Sequence, residues 1–403
     1  MFKNKIFGVS FLLFSIFPLI PNRLKGLPVI ILFIVSIYLA IKYKCRPINV
    51  KKTIFLSSLF LLILISLFYT ENFKNIDQIL STRLSLIIFP ISFSLLESTK
   101  IKLDQKYILW FYRIFLCSTI FFCLLFFYKI YNLGYYANKV NINDVYNTLT
   151  NNLFGIHQHP IYGSIFISIA LFFGFQELKN RKNIYLKIIL FCGVLFMFYI
   201  LFLLSRKGII LGFIGSLLAG VFIRLKKISL KKTTLISILA ILGVSLLTPV
   251  LKTRFKEVFH ETTYKEINSN NSSSIRYGVY NCVTKVIKNN WWFGYGIGDV
   301  QDELLKCYKN ESKILVDGNY NSHNQYFSYT LSSGIIGAFF LISILISTIL
   351  VGIKNNKSII VFIITFYSIA LLFENILERQ SGIILFMFFL SYFNFKNYLK
   401  IEE

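Results

Sequence analysis

The stretch IYLKIILFCGVLFMFYILFLL, residues 184–204, decides the fold of this chain. Lys187 is its one charged residue, and as a helix the stretch is long enough to cross about 30 Å of hydrocarbon. Similar runs recur along the 403 residues, of which 55% are hydrophobic and 15% charged, and the mean hydropathy is +0.64. The sequence therefore predicts an all-α integral membrane protein with about twelve spans, near residues 5–21, 28–43, 53–69, 84–97, 107–128, 160–176, 184–204, 208–223, 233–250, 331–353, 358–373 and 381–395.

The distribution of Lys and Arg predicts how these spans are oriented. We retain the first apolar run as a span, because no small-residue cleavage site follows it. An even number of spans then places both termini on one side, where the loops hold 23 Lys and Arg residues, against nine in the short loops opposite. Positive loops face the cytoplasm, so both termini are predicted to be cytoplasmic.

The net charge of +25 is therefore mainly an orientation signal and an attraction to anionic lipid headgroups. It is poor evidence for nucleic-acid binding, which we exclude. The chain has no internal repeat and no Pro/Ser-rich linker, so we predict one polytopic membrane domain, 1–403. Residues 251–330, between spans nine and ten, form its extracytoplasmic loop subdomain.

Within that loop, the sequence predicts two helices. Ser272, Ser273 and Ser274 are candidate N-caps for an amphipathic helix that ends near residue 290. The aromatic run 291–293 follows and is expected at the level of the lipid headgroups. GYGIGD, residues 294–299, reads as a tight turn because no strand precedes it. A second short helix is predicted over 299–308, and a long helix after Ser322-His323-Asn324 re-enters the membrane.

The same loop contains two of the six cysteines, Cys282 and Cys307. In an oxidising compartment they can form a disulfide, and without geometry two free thiols are an equal alternative. The other cysteines have no metal-ligand spacing.

Two arginines are candidate anion ligands. Arg206, with Lys207, lies in a short outward connection between spans seven and eight, where the orientation rule disfavours positive charge. A guanidinium at this depth can anchor headgroups or bind a phosphate or diphosphate bidentately, and we favour the second interpretation. Arg276, in the predicted loop helix, is either a solvated cation or a second anion ligand.

His323 is one of four histidines and lies where the loop meets a helix. Imidazole can exchange a proton near neutral pH, which suits activation of a hydroxyl nucleophile, although a structural histidine at a helix start is the competing interpretation. His157 and His159 have no interleaved carboxylate, so we predict no metal site.

Glu374, Glu378 and Arg379 lie in FENILERQSG, residues 373–382, the predicted outward turn between the last two spans. The acidic groups can pair with Arg206, with Arg276 or locally with Arg379, and we favour the local structural role.

Three segments in this order resemble a known family. They are SRKGIILGFIGSLL (205–218), SSSIRYGVYNCVTKVIKNNWWFGYGIGD (272–299) and HNQYFSYTLSSGIIGAFFLI (323–342). Together they look like the bacterial O-antigen ligase and O-antigen polymerase family. The likeness is strongest over about 155–395, including HPIYG at 159–163, and the first 150 residues match only as generic spans.

The resemblance implies a GT-C-like helical fold in the bacterial inner membrane, with the active site on the outer face. It implies transfer of a glycan from an undecaprenyl-diphosphate carrier to an acceptor hydroxyl, on lipid A core or another glycan, without metal or cofactor. By motif, Arg206 and Arg276 would bind the donor diphosphate and His323 would be the base or orient the acceptor. The supporting candidates are Lys207, His159, Tyr162, Asn324, Glu374, Glu378 and Arg379.

Other functions remain open at this point. A polymerase that joins repeat units on the same carrier is the closest alternative, and a protein O-oligosaccharyltransferase is a third. A transporter or flippase would place polar residues at mid-membrane, whereas here they lie at the outer edge and Arg113 is the only Lys or Arg deep within a span.

Overall fold

The computed structural model describes residues 2–46, 49–101, 103–135, 142–151, 153–224, 261–269 and 271–395. Within them every regular element is a helix, and no strand occurs. The helices are α1 (Phe2–Leu12), α2 (Leu27–Lys42), α3 (Val50–Ser66), α4 (Ile76–Arg83), α5 (Ser85–Ser98), α6 (Gln105–Asn132), α7 (Ile142–Asn151), α8 (Pro160–Asn180), α9 (Ile184–Leu204), α10 (Lys207–Arg224), α11 (Ser272–Asn289), α12 (Val300–Glu311), α13 (Lys313–Gly318), α14 (Gln325–Lys354), α15 (Ser358–Ala370) and α16 (Gln380–Asn394).

The prediction of a helical protein with several membrane-crossing helices is confirmed. Seven helical stretches in the described part of the chain are long and apolar enough to span a bilayer, and four shorter apolar helices accompany them. The count of twelve remains a prediction. One predicted span, 233–250, and the first ten residues of the predicted loop lie outside the described residues.

The chain divides into two compact units. Unit 1 comprises Met1–Val50, Ile91–Phe213 and Phe388–Glu403, and unit 2 comprises Lys51–Pro90 and Ile214–Met387. In unit 1, α6 packs against α8, α9 and the 3-10 helix Leu13–Leu19. The rings of Phe11, Phe111 and Phe388 lie 4.9–5.5 Å apart and form an aromatic core.

Arg113, the cation deep within a span, lies in unit 1 and is paired. Its Nε lies 3.2 Å from Oε2 of Glu177, and Arg181 contacts the same carboxylate oxygen at 3.0 Å. Because Glu177 is almost fully buried, the pair gives a desolvated carboxylate the partner that it requires. Arg113 is accounted for as part of the helix packing.

Unit 2 contains the helical loop and the long helix α14. Helix α11 begins at Ser272 and ends at Asn289, as the sequence predicts, but the cap is Asn271 and not a serine. The Asn271 Oδ1 accepts hydrogen bonds from the backbone N–H groups of Ser273 and Ser274. Asn271 is the N-cap because it precedes the helix in an extended conformation, from which its side-chain carbonyl oxygen reaches the amides of the first turn.

Helix α11 buries its apolar face against α12, α13 and α14. A disulfide joins Cys282 of α11 to Cys307 of α12, which settles the question that the sequence leaves open. The cluster of buried side chains around the disulfide comprises Ile275, Val279, Val283, Val286, Leu304, Tyr308, Leu315 and Leu331. The described helices of this segment, over residues 272–318, therefore pack around a common core.

Helix α14 is interrupted, and the GYGIGD turn fills the interruption. Ser333 and Gly334 have non-helical backbone angles. The N–H groups of Tyr295 and Gly296 donate to the carbonyls of Leu331 and Ser332, at 2.7 and 3.1 Å. The interruption lies within the candidate membrane span Gln325–Lys354, and irregular backbone inside a membrane would require such internal partners because lipid supplies none.

Candidate functional site

Three segments of unit 2 converge around Arg276. The guanidinium Nη2 of Arg276 lies 2.5 Å from Oε1 of Glu374, 98 residues later in the chain. The side chain of Glu374 is 7% exposed and that of Arg276 is 24% exposed, so this is a largely desolvated pair. The favoured local pairing of Glu374 with Arg379 is therefore wrong. Glu374 and Arg379 are close in sequence, but Arg379 is exposed. The buried Glu374 carboxylate pairs instead with the partly buried guanidinium of Arg276.

The positive charge of Arg276 acts on the imidazole of His323. Burial and the Arg276 guanidinium lower the pKa of His323 from 6.5 to about 4. The imidazole is therefore neutral at physiological pH, the state in which it can accept a proton. Its ring is tilted against that of Tyr320, with ring centres 5.8 Å apart.

The backbone of His323 is held in the left-handed region, with φ of 48°. Its N–H donates to Oδ1 of Asn321, and its carbonyl accepts from the hydroxyl of Tyr280 at 3.2 Å. Burial raises the pKa of Tyr280, so this hydroxyl remains protonated and able to donate. Left-handed backbone costs about 1–2 kcal/mol for a residue other than glycine, and these two hydrogen bonds stabilise the backbone of His323 in that conformation despite the cost.

Glu378 organises the remainder of the turn. Its carboxylate accepts hydrogen bonds from Nδ2 of Asn321 and the hydroxyl of Ser328, both at 2.8 Å, and from Nδ2 of Asn375. Asn375 also bonds Ser322 at 3.0 Å. The segment 373–382 is thus joined through side chains to the residues on both sides of His323.

Two of the supporting candidates in unit 2 have structural explanations. Asn324 is the N-cap of α14, and its Oδ1 accepts from the N–H groups of Tyr326 and Phe327. Arg379 is exposed, and its backbone carbonyl accepts from Gly382 and Ile383 at the start of α16. Neither side chain is needed to explain the geometry around Arg276.

Unit 1 contains the other predicted residues. Arg206 lies in the two-residue connection between α9 and α10, as predicted, and its Cζ is 4.4 Å from the centre of the Tyr146 ring. Such stacking orients a guanidinium. Lys207 is the first residue of α10.

His159 and Tyr162 begin helix α8 in unit 1. The Nδ1 of His159 caps the helix by accepting from the N–H of Ile161, and Tyr162 is 5% exposed. A side chain at Gly163 would meet Leu204 at 3.7 Å, so HPIYG packs close to the end of α9. Within unit 1, HPIYG (159–163) therefore lies next to the end of α9, directly before the start of SRKGIILGFIGSLL at residue 205. Arg206 belongs to unit 1 and Arg276 with His323 to unit 2, so a joint diphosphate site remains a prediction.

One cluster of metal-ligand types is present in the described part of the chain. It consists of Cys282, Cys307 and Glu311, and its two sulfur atoms are joined in the disulfide. A disulfide offers no thiolate, so this cluster does not suit a metal ion.

Part of the chain matches a protein-family model. Residues 192–342 match the model described as O-antigen ligase. The predicted resemblance is confirmed over this part of the chain, which includes Arg206, Arg276 and His323. O-antigen ligases are a glycosyltransferase-like enzyme family acting on lipid-linked glycan in the membrane. No curated protein matches the chain.

The match ends before three residues of the candidate site, of which Glu374 and Glu378 were predicted from the sequence and Asn375 was not. Glu374, Glu378 and Asn375 lie beyond residue 342, yet their side chains bond Arg276 and the residues beside His323. Arg83 and Asp299 were not predicted. Asp299 accepts from the N–H groups of Glu71 and Asn72, and the only available sequence signal for it was its place at the end of GYGIGD.

Proposed function

We propose that this protein transfers a glycan from an undecaprenyl-diphosphate carrier to an acceptor hydroxyl at the outer leaflet of the bacterial inner membrane. The observation that carries the proposal is the neutral imidazole of His323 beside the guanidinium of Arg276, inside the region that matches O-antigen ligases. A base and a cation are the two groups that this transfer requires. The predicted GT-C-like arrangement of about twelve spans, with cytoplasmic termini, is part of the proposal.

The reaction forms one glycosidic bond, breaks the bond to the diphosphate and moves one proton. The acceptor oxygen attacks the anomeric carbon of the first donor sugar, and its proton passes to the His323 imidazole. The bond between the anomeric carbon and the phosphate oxygen breaks, and the diphosphate leaves with the electron pair. Arg276 stabilises the charge that develops on the leaving group, and Arg206 is proposed to do the same.

Arrival of the donor would also prepare the base. In the free protein, Arg276 lowers the pKa of His323. A bound diphosphate adds negative charge near the same guanidinium, which offsets this effect and raises the basicity of the imidazole. Glu374 holds Arg276 before the donor arrives, and the diphosphate then competes with this carboxylate for the guanidinium.

The proposal assigns no metal or cofactor. The diphosphate is already a good leaving group, and cationic side chains can supply the charge stabilisation that a metal gives in other transferases. Loss of transfer on addition of EDTA, with recovery on adding Mg²⁺, would contradict this part of the proposal.

The test is transfer in vitro from a purified undecaprenyl-diphosphate glycan to lipid A core. His323→Gln should lower the rate by about 10²–10⁴-fold, the usual contribution of a general base. His157→Gln is a matched control, because His157 is also a histidine with positive φ (44°) but is exposed and bonded to Thr150. Equal rates for the His323 variant and the wild type would overturn the assignment.

The closest alternative is a polymerase that uses a second carrier-linked repeat unit as acceptor. The same residues would serve it, so the acceptor decides between the two. A cell lacking the gene would accumulate unattached polymer if the protein is a ligase, and single capped units if it is a polymerase. A protein O-oligosaccharyltransferase would instead leave a glycoprotein without its glycan. A flippase would show transport without transfer.

A further inference from the structure

A cavity in unit 2 adjoins the His323 segment and is not used by the proposed mechanism. Its volume is about 280 Å³, near the lower end of the roughly 300–1,000 Å³ typical of ligand pockets. That size suits a single sugar and not an oligosaccharide. The polar side chains that line it include Gln78, Thr82, Arg83, Gln301, Asn321 and Glu378.

The cation that lines this cavity, Arg83, is buried. Arg83, the last residue of α4, is 8% exposed, and no hydrogen bond or ion pair joins its guanidinium to any residue that the structure describes. Arg83 and Glu378 line the same cavity without forming an ion pair. A largely buried guanidinium that contacts no carboxylate directly is costly, which indicates that an anion binds beside it in the cavity.

The other lining groups restrict which anion fits. Glu378 is already engaged by Asn321, Ser328 and Asn375, and its negative charge would repel a multiply charged diphosphate. The amide of Gln78 provides a donor and an acceptor for ring hydroxyls. Thr82 donates its proton to the Gln78 carbonyl and Gln301 Nε2 donates to Asn319 and Tyr320, so these two side chains present oxygen acceptors to a sugar. A guanidinium binds a single carboxylate with a matching planar geometry.

We propose that this cavity binds a carboxylate-bearing sugar, with Arg83 as the counter-charge, and so selects glycans that contain a hexuronic acid. The placement supports this, because Asn321 and Ser322 line the cavity and immediately precede His323. The proposal rests on the proposed transfer reaction for its biological meaning, but binding of the sugar can be measured without transfer.

The first experiment measures binding of glucuronate, glucose and inorganic diphosphate to the full-length protein in detergent by saturation-transfer NMR. Arg83→Gln should weaken glucuronate binding by about 10–100-fold, equivalent to the 1.5–3 kcal/mol of a charge-assisted hydrogen bond, and leave glucose unchanged. Lys74→Gln is the control, since Lys74 is an exposed cation on the same chain segment. Unchanged glucuronate binding in Arg83→Gln would overturn the proposal, and so would an equal loss for diphosphate.

A second comparison needs no variant and so does not depend on whether Arg83→Gln folds. Glucuronamide has the shape of glucuronate without its charge, and the wild type should bind it at least about 10-fold more weakly. Equal binding of the two would contradict the proposal.

Transfer assays then distinguish the two sources of the acidic sugar. The hexuronic acid is placed either in the donor glycan or in the acceptor, and each substrate is compared with its neutral counterpart. The wild type should prefer the acidic substrate over the neutral one, either as donor or as acceptor, and Arg83→Gln should remove that preference. Absence of all transfer by the wild type would count against the proposed function, while the binding results would still test the cavity. Equal transfer of acidic and neutral substrates in both arms would overturn selection by Arg83.

Discussion

At the scale of single residues, the ion pair of Arg276 with Glu374 joins stability and function. The sequence motif predicts Arg276 as a diphosphate ligand, because a cation at this position in the family pattern indicates that role. It did not identify the partner, because Glu374 is 98 residues away and three cations competed for its carboxylate. Arg83 was missed for a related reason: from sequence, a lone arginine at the start of a span resembles any interfacial cation.

Variants of Arg276 and Glu374 should separate the effect of the ion pair on stability from its effect on transfer. Arg276→Gln should destabilise the protein by about 3 kcal/mol, because it leaves the buried Glu374 carboxylate unpaired. The double variant Arg276→Gln/Glu374→Gln should recover most of that stability in thermal unfolding but still transfer glycan about 10²–10³-fold more slowly. Lys285→Ala, which removes an exposed cation from the same helix, is the control. Activity returning with stability in the double variant would make Arg276 a purely structural residue.

His323 makes a prediction about pH. The imidazole must be neutral to act as base, so activity falls as pH drops through its pKa. The acidic limb of kcat/KM, which reports the free enzyme, should lie near pH 4, the lowered pKa. The limb of kcat should lie higher, since bound diphosphate offsets the Arg276 charge. Coincident limbs near 6.5 would contradict both the burial effect and the proposed coupling.

At the scale of elements, the interruption of α14 and the GYGIGD turn explain the glycine spacing of two motif segments. Gly294 and Gly296 have φ of 76° and 85°, and Gly334 has φ of 66°. The tight turn and the loop helices could be read from the sequence, because capping residues and helical periodicity are local signals. The break in α14 could not, since the apolar run continues through it and only the partner carbonyls reveal it.

Gly334→Ala should therefore disrupt this junction. The added Cβ would lie 1.8 Å from the Trp292 carbonyl oxygen, and the backbone conformation is unfavourable for alanine. We expect a loss of about 2–5 kcal/mol in stability, measured as the midpoint of thermal unfolding, with loss of transfer. Gly163→Ala is the control, because its new Cβ would make ordinary contacts of 3.4 Å or more. Similar midpoints of thermal unfolding for Gly334→Ala and Gly163→Ala would show that the turn tolerates a side chain at Gly334.

The disulfide between α11 and α12 makes a prediction for the same subdomain. It closes a loop with a sequence separation of 25, for which loop-closure entropy gives about 3 kcal/mol. Cys307→Ser should lower the melting temperature of the folded loop and speed its hydrogen exchange. Cys192→Ser, which changes an exposed free thiol, should leave both unchanged. Equal exchange in the two variants would show that the packed side chains alone hold the subdomain.

At the scale of the whole molecule, composition was sufficient to predict a helical membrane protein. Long apolar runs have one stable form in lipid, so the fold class follows from chemistry that acts over about twenty residues. The division into two compact units could not be predicted in this way. It depends on packing among residues that are far apart in sequence, such as Phe11 with Phe388.

The orientation of the chain in the membrane can be tested directly. Both termini should be cytoplasmic and the loop that contains Lys285 and Tyr277 should face outward, because positive loops stay inside. A single cysteine introduced at Lys285 in a background without Cys45, Cys117 and Cys192 should react with a membrane-impermeant thiol reagent in intact spheroplasts. One introduced at Lys182 should react only after the membrane is opened. The reverse pattern would invert the proposed topology.

The bonds from residues 374–378 to the residues around Arg276 and His323 have a consequence for synthesis of the protein. A nascent chain carries Arg276 and His323 long before Glu374 and Glu378 leave the ribosome. Until then the guanidinium has no carboxylate to hold it, and Asn321 lacks its acceptor on Glu378. The candidate site is thus completed only when residues 374–378 have been translated. A frameshift or an insertion after residue 342 would leave the family-matching region complete in sequence and the site incomplete in space.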